Sequence, residues 1–149
     1  MSLEQWAKNG WLRPHKSSRQ EISDLLRIVE RDLTDAEGDI SADWKFGIAY
    51  NAALKLCTIL LHASGFRPER SLAHYRTLAA LPLILGEGRK DDAAYLDACR
   101  AKRNTVEYDT AGAATKDDAA ELIDFVKGLR KDVIAWLRKN HRALGQAGE

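Results

Sequence analysis

The chain has 149 residues, 45% of them hydrophobic and 30% charged, with a formal net charge of +1. That length suits one domain, and that balance excludes a disordered, collagenous or low-complexity chain. Alanine and leucine together number 41 against 12 for valine and isoleucine, a bias that favours helix over strand because β-branched side chains lose rotamer freedom in a helix.

Residues 1–17 read as an irregular arm with a short helix over Leu3–Asn9. Trp6 and Trp11 are its anchors, suited to packing on the chain's own surface. The first long helix starts at Ser18, which stands at capping-box spacing from Glu21. Ile22, Leu25, Leu26, Val29 and Leu33 form its apolar stripe, and Gly38 ends it. Ser41 caps the second helix, with Asp43 at its positive end. This helix runs to about Ser64 and stops at Gly65. Ala49, Ala52, Ala53, Leu56, Leu60 and Leu61 give it a face wide enough for the centre of a bundle. Trp44, Asn51, Lys55 and His62 lie on its other side.

Phe66, Arg67 and Pro68 read as a loop. A third helix is expected over Ser71–Leu81, with Leu72, Tyr75 and Leu78 inward. Pro82 and Gly86–Gly88 mark a turn, and a fourth helix follows from about Lys90 to about Glu107. Thr115 caps the last helix, where Leu122, Val126, Leu129, Val133 and Leu137 carry the inward stripe to near Asn140. The tail from Leu144 is expected to fray. No stretch alternates as a strand does. The expected organisation is an arm over 1–17, a bundle over 18–142 and a tail over 143–149. The fold class is all-α, an up-and-down bundle of about five helices.

Cys57 and Cys99 sit in apolar helical segments and read as buried thiols of a reducing cytoplasm. The longest greasy stretch, Ala52–Leu61, contains Lys55 and is too short to span a bilayer, so a cytoplasmic protein without a membrane is expected. His15, His62, His74 and His141 are scattered without metal-ligand spacing. There is no HExxH, CxxC or phosphate-binding glycine loop. Neither a metal nor a cofactor is expected.

The informative segment runs from Cys99 to Asp109. Leu96, Cys99, Arg103 and Val106 follow one helical seam, which puts Arg103 on the face its neighbours bury. A buried arginine needs a partner for its fork of donors. Two readings stay open: Arg103 reaches the bundle edge or pairs with Glu107, or it lines a cleft that receives a phosphate. His74, in Ala73-His74-Tyr75-Arg76, and Asn51 are further polar candidates. Lys127, Arg130, Lys131, Arg138, Lys139 and Arg142 on the last helix form either a solvated face or a track for a nucleic-acid backbone.

Arg103-Asn104, three residues and then Tyr108, near the end of a bundle helix, resemble the signature of HEPN domains, an arginine followed after four to six residues by a histidine. The stretch from Ser41 to Pro68 followed by SLAHYRTLAAL is similar to a bacterial branch of that family, and the likeness covers roughly residues 18–140. The resemblance implies a HEPN-like homodimer that brings two motifs together across a cleft. It also implies metal-independent RNA cleavage in active members, often as toxins or nucleotidyltransferase partners. Arg103 matches the arginine and Asn104 the polar residue after it, while Tyr108 occupies the histidine position. These two, Arg103 and Tyr108, are the candidate catalytic pair. A phenol titrating near pH 10 is a poor general base at neutral pH, so the binding of RNA or a nucleotide is the firmer expectation. Arg103, Asn104, Lys102, Asn51 and His74 are its candidate residues. The alternative is a non-catalytic subunit that docks a nucleotidyltransferase, an antitoxin or another protein.

Overall fold

The structure, a computed structural model, describes residues 1–108 and 111–145, with the side chains of 106–108 and 145 outside that description. The chain is predominantly helical, as the composition dictates. After α1 (Leu3–Lys8) and β1 (Leu12–Pro14) come α2 (Arg19–Ala36) and α3 (Ala42–Ala63). Then follow β2 (Phe66–Pro68), α4 (Ala73–Ala79), α5 (Leu81–Leu85), α6 (Lys90–Tyr108), α7 (Lys116–Asn140) and α8 (Arg142–Gly145).

The long helices begin where the sequence supplies an oxygen for their free N–H groups. Ser18, Ser41 and Thr115 each accept from a backbone N–H three residues on. Thr115 and Asp118 complete a reciprocal capping box. At the other end of α3, Gly65 takes φ +95°, a conformation that costs glycine little, and turns the chain into β2.

Helix α3 is the centre, packed against α2, α6 and α7. Leu56, Ile59 and Leu60 are fully buried, as are Leu122, Val126 and Leu137 of α7 and Ile22 and Val29 of α2. By composition α3 is apolar enough to cross a membrane, yet 72% of its most apolar window is buried inside the bundle. The 22-residue helix thus exceeds the ten-residue greasy stretch read from the sequence, and the bundle itself covers it. Cys57 and Cys99 are free, buried thiols, with burial raising their pKa values to about 12 and about 11.

Three expectations are corrected. The arm and the supposed loop at Phe66–Pro68 form a short antiparallel ribbon, Leu12 opposite Pro68 and Pro14 opposite Phe66. Three-residue strands are too short to show alternation. The ribbon holds Leu12 in a small apolar cluster with Leu61 and Ala80, against Trp6 and Phe66. The third helix is two helices, because Pro82 opens α5 near its first turn. Leu72 and Tyr75, expected inward, are 61% and 44% exposed, while Leu78 alone of the three is buried. Leu72 precedes the helix at φ +56°, which turns it off the inward stripe. Arg142–Gly145 form α8, with Leu144 packed against the core, and the tail beyond residue 145 lies outside the described residues.

Candidate functional site

Arg103 sits on the third turn of the seam that Leu96 and Cys99 bury, and is itself half-buried. Its guanidinium carbon lies 5.7 Å from the centroid of the Tyr50 ring on α3, within cation–π range. Tyr50 is buried, and burial raises its phenol to about 12, although the charges of Arg100 and Arg103 pull the other way. Among the described residues the Tyr50 hydroxyl has no hydrogen-bond partner.

One turn earlier on α6, Arg100 binds Asp97 through Nε at 2.9 Å. That leaves its two terminal amines as further donors. Arg100 also lines a shallow cavity of about 340 Å³ with Arg70, Leu72, Ala73, His74 and Tyr75. His74 is held below the usual imidazole pKa, first by partial desolvation and then by the charges of Arg103, Lys55 and Arg100. At neutral pH its ring is therefore uncharged and able to accept a proton. Three helices thus converge here: α6 supplies two arginines, α3 supplies Lys55 and Tyr50, and α4 supplies the histidine.

The structure brings Arg103 and His74 into one electrostatic neighbourhood and leaves two other candidates out of it. Lys102 points towards α7, with Nζ 2.8 Å from Asp118 and 6.0 Å from the Phe46 ring centroid. One residue from Arg103 is about 100° around the helix, which sends Lys102 to the α7 side. Asn51 donates to Asp32 of α2 at 2.7 Å. Asp32 is a 4%-exposed carboxylate on the inner side of α2, and a buried carboxylate demands such a donor. Asn51 is an internal tie. Asn104 is exposed on α6. Tyr108 is the last residue of α6, and its side chain, like that of Glu107, lies outside the described residues.

The last helix is a solvated face of ion pairs over the stretch that packs beside α2. Lys127 meets Glu37 at 2.6 Å, Arg130 meets Glu30, and Asp132 receives Arg89. Arg100, Arg70, Tyr75 and Lys55 were less visible as a group, because they come from separate segments and share no motif. The sequence does set Arg67, Arg70 and Arg76 around His74.

The histidines also hold a surprise. Ser18 accepts from the Glu21 backbone, but the Glu21 side chain does not return to complete a capping box. It receives His15 Nε2 at 2.8 and 3.0 Å and His62 Nδ1 at 2.6 Å instead. His15 and Glu21 are six residues apart, but His62 stands 41 residues from Glu21, so ligand spacing did not reveal the group.

Neither a protein-family model, a curated protein nor a solved structure matches the chain.

Proposed function

We propose that this chain binds RNA through its phosphate backbone on the face shared by α4 and α6, as a HEPN-like protein. The observation that carries this reading is the open cavity that Arg70, Arg100, His74 and the exposed Tyr75 line together, with the charges of Arg103 and Lys55 also reaching His74. Arginine forks match phosphate oxygens, and an exposed phenol ring offers a face on which a base stacks. The open, shallow shape of the cavity suits a polymer passing over it better than an enclosed nucleotide. Arg103 keeps the role the HEPN resemblance gives it. Histidine chemistry passes from the Tyr108 position to His74, whose neutral ring suits it to take a proton from a ribose 2′-hydroxyl as that oxygen attacks the adjacent phosphorus. The P–O5′ bond then breaks, the departing 5′-oxygen takes a proton from water, and the products carry 2′,3′-cyclic phosphate and 5′-hydroxyl ends.

Fluorescence anisotropy with a labelled single-stranded RNA tests the reading. Arg103→Ala is expected to weaken binding at least about tenfold, the value of roughly one charge-assisted hydrogen bond, with the circular dichroism unchanged. Equal affinity of the variant and the wild type contradicts it. Incubation of the same RNA with wild type and His74→Gln separates binding from cleavage. Cyclic-phosphate products that vanish in His74→Gln support a ribonuclease; intact RNA with retained binding leaves a binding protein.

A second reading rests on Leu72 and Tyr75, two large exposed side chains that line one shallow cavity. They suit docking of a second copy, which would double the cationic face, or of a nucleotidyltransferase or antitoxin partner.

A further inference from the structure

The clasp of His15, Glu21 and His62 lies outside the face described above and joins three segments. His15 follows β1, Glu21 stands in the first turn of α2, and His62 stands in the last turn of α3. Their ligand atoms all lie within 4.8 Å of one another, and the two imidazole rings are 4.1 Å apart between centroids. All three side chains are half-buried. We propose that His15 Nε2, His62 Nδ1 and a Glu21 carboxylate oxygen form a three-ligand site for a zinc-class divalent cation.

The chemistry of the donors selects the ion. Two imidazole nitrogens and one carboxylate oxygen suit Zn²⁺ and its neighbours Co²⁺ and Ni²⁺, whereas Mg²⁺ and Ca²⁺ prefer all-oxygen shells. Three protein ligands at a partly open edge leave a fourth position for water. Tetrahedral bonds of about 2.1 Å place ligand atoms about 3.4 Å apart. The present separations to Glu21 are 2.6 to 3.0 Å, so these lengthen by less than about 1 Å to reach that geometry, and the two facing ring nitrogens already lie within 4.8 Å of each other. Without a cation, the ionised carboxylate only accepts, so both facing ring nitrogens carry protons. On binding, each imidazole shifts its proton to the remote ring nitrogen, His15 Nδ1 and His62 Nε2, and the two near nitrogens become lone-pair donors. No oxidation or reduction is involved. The charge of Arg67 reaches His62, and the Glu21 carboxylate offsets that repulsion.

The backbone pre-forms the site independently of these side chains. His15 N–H donates to Gly65 O at 2.9 Å, next to the β1–β2 pairing. The cation therefore does not have to gather loose segments; it locks the arm to the bundle. That lock also reaches the cationic face, because Arg76 of α4 lies 4.5 Å from the centroid of the Trp11 ring in the arm.

The test uses the full chain, stripped of metal by a chelator and then titrated with Co²⁺ and Zn²⁺ at neutral pH. Wild type is expected to bind one equivalent of Co²⁺ with the visible absorption of a tetrahedral centre, displaced by Zn²⁺. A Zn²⁺ excess of about a hundred times the Kd should raise the melting temperature by about 5–10 °C, and Mg²⁺ should not. His15→Gln and His62→Gln, each measured separately, are expected to lose the absorption band and the thermal shift. The absorption reads the ligands directly, so either folded variant suffices if the other fails to fold. Absence of a tetrahedral Co²⁺ spectrum in the wild type overturns the proposal. So does an undiminished spectrum in the folded variants, which would place the metal at another histidine or at a cysteine.

Discussion

Glu21 shows how one side chain acquires a role that its sequence neighbours do not announce. Spacing from Ser18 marks it as half of a capping box, yet its carboxylate serves His15 and His62. Burial by itself pushes the Glu21 carboxyl up, but hydrogen bonds from His62 and His15, together with their charge, leave it lowered. His62 is lowered too, chiefly by desolvation, with the hydrogen bond to Glu21 opposing and the charges of His15 and Arg67 assisting. Both shifts act in one direction. The unfolded chain binds these protons more readily than the folded one, so stability is greatest above the usual imidazole pKa of 6.5 and falls as pH drops below it. A metal-free melting series from about pH 7.5 to about pH 5.5 should show a declining midpoint, with a shallower decline in His62→Gln. An identical slope in the two proteins would remove His62 from the account. Asn51 and Lys102 teach the same lesson from the other side. Their chemistry fits phosphate, but Asp32 and Asp118 claim them, and such partners lie too far along the chain for spacing to reveal.

At the scale of elements, legibility followed the strength of the local signal. The serine and threonine caps, the stripes of α2 and α7 and the broad apolar face of α3 all stand in the sequence and in the structure. Elements set by tertiary packing did not show: the β1–β2 ribbon joins segments more than fifty residues apart, and the exposure of Tyr75 depends on where α4 begins. Leu56 on α3 is fully buried, so Leu56→Ala should cost about 2–5 kcal/mol, because it removes apolar burial and leaves a cavity. Urea denaturation measures this, and a change below about 0.5 kcal/mol would deny α3 its central place. The loop after α6 has its own tie. Asp43 at the start of α3 accepts from Gly112 N–H at 2.6 Å and Ala114 N–H at 3.1 Å. Asp43→Ala frees both donors, and hydrogen exchange at these two amides is expected to accelerate relative to wild type. Unchanged protection there would show that the loop holds without the carboxylate.

For the whole molecule, the arrangement places a packed helical core behind two distinct surface features, the cationic α4–α6 face and the histidine clasp of the arm. The fold class was legible because it follows from composition and helical period over long segments. The composite face was legible only through Arg103 and His74, since its remaining members converge by packing. Leu72 and Tyr75 beside that face also bear on assembly. Sedimentation at micromolar concentration is expected to give about twice the 16.6 kDa chain mass, C₂ being the commonest closed symmetry. Leu72→Glu should return the chain mass itself, and a wild type that already sediments as one chain would remove the second copy from the proposed site. The most direct test of the central claim is the salt dependence of RNA affinity in wild type and in Arg100→Ala/Arg103→Ala. If these arginines neutralise backbone phosphates, the double variant binds more weakly and its plot of log affinity against log salt is shallower by about 0.7 for each phosphate left without its arginine. The same affinity and the same slope in both proteins would contradict an RNA-binding face at α4 and α6.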